Sequence, residues 1–505
     1  MTEGKNPYQE LERRFRRLGL IDDTLEVLNW DRATMMPEGS AAGRGEQIAT
    51  LKVLRHELIT DPRVDELLPD AEAELAQAEE DEMGAWRRAN LREMRRAHLH
   101  ATAVPADLVG ALARASSTCE VRWRAARADS DFQALRPSLE EVLRLVRETA
   151  AAKAAALGVA AYDALLDEWE PGGSTEQIDV LFDELAGFLP HLVERVVARQ
   201  KGLPAPLVPE GPFDAERQRT VGLNLMKIVG FDFARGRLDT SHHPFCGGAS
   251  DDVRITTRYD ERDFTSGLMA VLHETGHAMY QLGLPEAWRY QPVGLARGMS
   301  MHESQSLLVE MQACRSREFL AFAAPVLREA FESDGAAWEA ENLYRLYTRV
   351  TPAFIRVDAD EVTYPAHVIL RYRLERALIG GDLEIAELPG AWADGMKDLL
   401  GIVPPDDRRG CLQDIHWPAG VWGYFPTYTL GAMTAAQLFA AVKRDVGDVL
   451  PALGRGDFAP LMDWLRTHVH SRASLLSTEE LLRAATGGPL DPGIYRAHLE
   501  SRYLT

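Results

Sequence analysis

Apolar residues recur at every third or fourth position along most of the 505-residue chain, and short alternating runs bounded by turn residues are scarce. That period predicts a mostly α fold. From Pro7 to about Leu51 it predicts two helices, broken at "MMPEGS", where Pro37 and Gly39 stop the pattern. From about Asp70 to Leu157 acids precede bases at helical spacing, as in "AEAELAQAEEDEMGAWRRANLREMRRAHLHA", which reads as solvated helix surface. Breaks rich in Gly and Pro fall at 170–175, 202–213 and 242–252. The second is a candidate boundary between a helical N-terminal part, 1–205, and the remainder, 206–505. β-branched residues in "DVRITTRYDERDF" allow a strand from about Asp252 to Tyr259, so at most a small β ribbon is expected there. After it, Phe264 to Leu282 is strongly helical. The length admits several cores, yet helical chains of this size can form one continuous body, and the expectation for 1–505 is a single unit, bilobed at most.

Composition narrows the partners. With 46% hydrophobic and 26% charged residues the chain is ordinary for a globular protein, and fibrous or disordered classes drop out. Fifty-six basic against 77 acidic residues give 56 − 77 = −21, a net charge that repels polyanions, so neither nucleic acid nor an anionic membrane is an expected partner. The N-terminal stretch shows no apolar segment after its positive charges, and no apolar run approaches the roughly 18 residues of a membrane span. A cytoplasmic protein is expected. Cys119, Cys246, Cys314 and Cys411 are far apart without a CxxC pair, which favours reduced thiols over disulfides or a thiolate metal site.

The candidate chemistry lies in "AVLHETGHAMY", 270–280. On a helix His273 and His277 fall one turn apart on one face, so both imidazoles can meet one ion about 2.0–2.1 Å away. Glu274 points about 100° away from His273, unsuited as a third ligand on that face but able to border an open coordination position as a general base. Gly276 costs about 1 kcal/mol relative to Ala within a helix, which suggests close approach of another backbone or a ligand. A third ligand is required. Glu303, 303 − 277 = 26 residues after the second histidine, opens another helical segment in "GMSMHESQSLLVEMQ", with His302 and Glu310 as rivals. Ser300-x-x-Glu303 also fits a capping box; Glu303 is favoured because one oxygen can serve an ion while Ser300 alone caps the helix.

These residues carry a resemblance. "HETGH" followed by "HESQS", together with "HPF" (243–245), "DVRIT" (252–256), "IRVDAD" (355–360) and "GCLQDIHW" (410–417), resembles the carboxypeptidase Taq family of zinc metallocarboxypeptidases. "LNWDRATMMPEG" (28–39) and "FPTYTLGAMTAAQLF" (425–439) extend the likeness over nearly the whole chain. The resemblance implies a large helical, saddle-like body with a deep substrate groove. It also implies one zinc per chain, or cobalt or manganese in its place, and removal of single residues from the C-terminus of peptides by a homodimer. Carried over residue by residue, it makes His273, His277 and Glu303 the metal ligands and Glu274 the general base.

An exopeptidase must hold its substrate's terminal carboxylate, and the planar fork of arginine suits that task. Arg254 of "DVRIT" and Arg356 of "IRVDAD" are the candidates, with Asp252 and Asp360 near in sequence as alternative ion-pair partners. His243 is a loop histidine able to donate to the scissile carbonyl or to organise the pocket. Gln413, Asp414 and His416 are read as a network that positions substrate, while Trp417 packs, and Tyr364, Tyr424 and Tyr428 are candidate oxyanion donors. No G-x-S-x-G nucleophile elbow accompanies the Asp–His pair. The rival readings are a helical zinc oligopeptidase or dipeptidyl carboxypeptidase and, more remotely, a non-catalytic metal-containing binding protein.

Overall fold

A computed structural model of the chain describes residues 6–77 and 80–505. Met1 to Lys5, which open the N-terminal stretch read above, and Ala78 and Glu79 of the charged run lie outside the described residues. The chain is 70% helical with one small sheet. The first expected break is present: helix Pro7–Thr34 and helix Ala41–Ile59 flank a short 3-10 turn, Glu38–Ser40. The charged run is helical, in Glu82–Thr102, Ala106–Asp129 and Phe132–Leu157. Among the described residues no helix is long and apolar enough to cross a membrane.

The expected ribbon is one strand of three. Strand β1 (Gly236–Thr240), β2 (Phe245–Ala249) and β3 (Asp252–Thr257) form a sheet in the order β1-β3-β2, with β1 parallel and β2 antiparallel to β3. The two outer strands escape a reading by alternation because β1 is only five residues long and β2, "FCGGA", carries two glycines. Within the central strand Val253 and Ile255 are buried and pack with Leu238, Val271 and Leu272 in one apolar core. A second core joins distant segments: Phe182, Leu185 and Leu189 meet Trp392, Trp417, Phe425 and Tyr495. All four cysteines are free, three of them buried.

The helix Phe264–Gly283 is apolar on most of its circumference, with Leu268, Val271, Leu272, Thr275, Ala278 and Tyr280 all buried. Such a helix belongs in an interior. It starts where the Asp263 side chain accepts from Thr265 N at 2.9 Å, and it packs against β3, helix Ala215–Val229 and helix Gly298–Leu307.

Candidate metal centre and its cavity

Close helix approach builds the site. A Cβ at Gly276 would lie 2.4 Å from the Gln305 carbonyl oxygen and 2.6 Å from Ser306 Cα, so only glycine admits helix Gly298–Leu307 at this depth. On its other side a Cβ at Gly431, in helix Pro426–Asp445, would lie 2.8 Å from Glu303 Cβ. Glu303 is therefore held in a crossing of three helices. The helix that carries it begins after Arg297, with Gly298 at φ +63°, and Ser300 falls inside its first turn. Ser300 thus cannot act as its cap, contrary to the sequence expectation. The buried Glu170 does so, accepting from Ser300 N at 3.0 Å, while Met299 N donates to Trp169 O at 2.7 Å.

His273, His277 and Glu303 converge, their potential ligand atoms all lying within 4.8 Å of one another. Glu303 Oε2 is 3.4 Å from His277 Nε2 and 3.7 Å from His273 Nε2. Ligands placed tetrahedrally about 2.05 Å from a zinc-sized ion are about 3.3 Å apart, so the spacing fits one ion after small adjustments. The rivals for third ligand hold the histidines instead. Glu310 Oε2 accepts from His273 Nδ1 at 2.9 Å, and the His302 carbonyl accepts from His277 Nδ1 at 3.0 Å. Each contact engages Nδ1 and leaves Nε2 as the nitrogen that faces Glu303 and would coordinate an ion. A π-helical turn, Leu308–Cys314, carries Glu310, whose other oxygen accepts from Arg315 Nη2 at 2.5 Å.

Charge around the triad is unbalanced. Burial opposes a charged His273, but Glu303, Glu310 and Glu274 outweigh it and push the imidazole up to about 10. Burial raises Glu274 above the usual carboxylate range, although His273 and His277 partly offset it. Burial likewise opposes ionisation of Glu303, and the two histidines overcome it and hold that carboxyl low. Arg315 compensates Glu310, and among the described residues no Lys or Arg pairs with Glu274 or Glu303, a deficit that a divalent ion would offset.

A cavity of about 480 Å³ opens on this centre, lined among others by His273, Glu274, Glu303, Arg356, Tyr364 and Tyr428. Arg356 is buried and donates through Nε and Nη2 to Asp414 Oδ1 at 3.1 and 2.9 Å, and through Nη1 to Tyr364 OH at 2.8 Å. Its backbone N donates to Gln413 Oε1 at 2.8 Å. Asp414 is shared with a second buried cation, Arg371, at 2.6 Å. Burial opposes ionisation of Asp414, yet Arg371 and Arg356 hold it far below the usual carboxylate range. Two guanidiniums on one carboxylate leave this wall net positive.

His416 Nε2 lies 3.2 Å from Tyr428 OH, and burial drives the imidazole down to about 4 despite Asp414, so it is neutral near pH 7. Burial raises the phenols of Tyr364, Tyr424 and Tyr428, which keep their protons. Gln413, Asp414 and His416 meet the cavity only through Arg356 and Tyr428, whereas two candidates touch neither of those residues. Arg254 is tied up by Asp252, with Nε 2.9 Å from Oδ1 and Nη2 2.5 Å from Oδ2, and lies 4.2 Å over the Trp30 ring. His243 is exposed, though its neighbour Pro244 lines the cavity. Asp360 accepts from the backbone of Thr351, Val362 and Thr363 rather than pairing with Arg356. Sequence reasoning missed Arg371 and Glu170, which in the chain look like any charged helix or loop residue, and it missed the orienting roles of Glu310 and His302.

Two histidines one turn apart, a glutamate from a crossing helix and a buried acid beside them make a candidate metal site on helices, of the arrangement an H-E-x-x-H hydrolase requires. The chain belongs to the carboxypeptidase Taq (M32) metallopeptidase family, whose model matches residues 10–503. It is 37% identical to thermostable carboxypeptidase 1 of Thermus thermophilus, over 98% of both chains, and 31% identical to carboxypeptidase 1 of Bacillus subtilis, over 97% of this chain and 96% of that one. Among solved structures it superposes on Trypanosoma cruzi metallocarboxypeptidase 1 with a TM-score of 0.96 at 41% identity, covering 99% of each chain. Pyrococcus furiosus carboxypeptidase gives 0.93 at 32% identity, with all of both chains covered. The protein is a metallocarboxypeptidase, a peptide hydrolase.

Proposed function

We propose that the chain removes single residues from the free C-terminus of peptides, using one zinc ion, or cobalt or manganese in its place, held by His273, His277 and Glu303. The ion, when bound, supplies Lewis acidity and makes a water nucleophilic near neutral pH. Glu274 takes the proton of the attacking water and returns it to the leaving amine, a task that suits a carboxyl whose pKa burial has raised. Tyr364 accepts from Arg356 and keeps its own O–H for the oxygen on which negative charge develops. Arg356 receives the substrate carboxylate. Asp414, Gln413 and, through Tyr428, His416 position that wall. His243 stands by the rim next to Pro244, and Arg254 orders the edge of the sheet. The reading takes residues 1–505 as one unit acting in the cytoplasm as a homodimer.

The observation that carries this reading is Arg356 in the lining of the cavity that His273 and Glu303 also line, with Asp414 and the buried Arg371 behind it. Its test is mass spectrometry of peptide ladders with free and amidated C-termini, with and without a chelator. Stepwise shortening of the free peptide alone, abolished by chelator, is expected; internal cleavage or equal attack on the amide refutes it.

A further inference from the structure

In a chain with 77 acidic residues against 56 basic ones, one recess of about 750 Å³ is walled by six cations. Its lining shares no residue with that of the metal cavity. Arg199 and Lys201 come from the end of helix Thr175–Lys201, and Arg317 opens helix Arg317–Ala330. Arg345 and Arg349 lie one turn apart on and just beyond helix Ala340–Tyr347, and Arg502 reaches in from helix Pro492–Leu504. Among the described residues Glu341 is the sole acidic side chain in the lining, and it is engaged by Arg317, while Arg199 is occupied by the backbone oxygens of Leu504, at 2.7 Å, and of Thr505, which also lines the recess. Arg502 spends its charge on Glu361, outside the recess, at 3.0 Å. Lys201, Arg345 and Arg349 pair with no carboxylate among the described residues. Arg345 reaches only the carbonyl oxygens of Glu341 and Pro204, each at 3.4 Å.

The recess is built rather than incidental. Gln200 pins its floor, donating to Thr348 O at 2.9 Å and accepting from Val350 N at 3.0 Å. Just beyond the lining, Asn342 holds the loop that follows Pro206 through two hydrogen bonds of 2.8 Å to the Leu207 backbone. Arg317 stacks 3.9 Å over the Tyr344 ring. Like charges gathered without partners repel one another, and a bound anion removes that cost. The planar guanidinium fork matches the oxygens of phosphate, and the volume falls within the roughly 300–1,000 Å³ of small-ligand sites. The net charge of −21 opposes a long polyanion at a distance, whereas a small anion can enter a local basic recess.

We propose that this recess binds a small phosphate-bearing molecule, with Arg345, Arg349 and Lys201 as its principal contacts. Calorimetric titration of the metal-loaded protein with inorganic tripolyphosphate and with magnesium-ATP tests it. Saturable binding at one site per chain is expected, and Arg345→Ala with Arg349→Ala should weaken it by about tenfold or more. A control pair of exposed arginines elsewhere, Arg124→Ala with Arg136→Ala, should leave it unchanged. Tighter binding of magnesium-ATP identifies a nucleotide site, and equal binding identifies a site for the phosphate chain alone. No binding, or binding equally strong in the Arg345/Arg349 variant, overturns the proposal; the latter result would mean chelation of the metal or unspecific charge. A polyglutamate peptide that binds where both phosphates fail would also overturn it, in favour of an acidic-peptide surface.

Discussion

At the scale of single residues, the proposed chemistry rests on carboxylates that look alike in sequence and are separated by what surrounds them. Glu303 faces two imidazole nitrogens, Glu310 faces the back of one of them, and Glu274 has no hydrogen-bonding cation and is raised by burial. Glu274→Gln removes the proton acceptor and no ligand, so turnover should fall by at least about 10²-fold while metal analysis still finds one ion per chain. Near-normal activity in that variant would remove Glu274 from the mechanism. Glu310→Gln leaves all three ligands in place but weakens the acceptor that fixes the His273 proton. Outer partners of this kind are worth about 10–100-fold, so a competition with a chelating dye should show metal affinity reduced by that order. Unaltered affinity and activity would mean that Glu310 serves Arg315 alone.

At the scale of elements, the site is a crossing of helices, and its precision comes from two glycines. H-E-x-x-H makes the first helix legible at once, because 3.6-residue periodicity puts both histidines on one face. Gly276 was legible too, as a cost in a helix that asks for a close neighbour. The neighbour's identity was not, since only the folded chain brings Gln305 and Ser306 against it. For the same reason the partner of Gly431 had no local signal. Gly431→Ala would force a methyl group toward Glu303 Cβ and Cγ, both 2.8 Å from the added carbon, and so move the ligand rather than remove it. The expected outcome is a folded protein by circular dichroism with metal affinity at least about tenfold weaker, since overpacking costs about 1–3 kcal/mol. Retention of wild-type affinity would show that the helix slides freely. Glu170 belongs to the same lesson: its role as a helix cap depends on a chain reversal 130 residues before Ser300 that no spacing rule reveals.

At the scale of the whole molecule, Glu375 ties distant parts of the chain together and should register in stability rather than in chemistry. Its fully buried carboxyl accepts from Tyr162 OH at 2.7 Å, from Trp417 Nε1 at 2.8 Å and from Gly423 N at 3.3 Å, which joins the helical N-terminal part to the loop behind the Arg356 wall. The sequence suggested a break near 202–213, and the break is real as a stretch without helix, yet the core around Trp392 and Trp417 is filled by residues from both sides of it. Long-range packing of that kind leaves no periodic trace. Burial pushes the Glu375 carboxyl up to about 7, and the three donors only partly offset it. A carboxyl raised on folding binds its proton more tightly in the native state. Its contribution to stability is therefore complete below the unfolded value of about 4.3 and is lost as pH rises to about 7. Glu375→Gln carries no such proton, so the stability of the variant relative to wild type should rise between pH 4.5 and 7.5 by on the order of 3 kcal/mol and stay level above that. Urea unfolding of both proteins at matched pH values measures the difference, in which metal binding, common to both, cancels. A difference independent of pH would mean that the carboxyl stays ionised throughout, held by Tyr162, Trp417 and Gly423 against its burial.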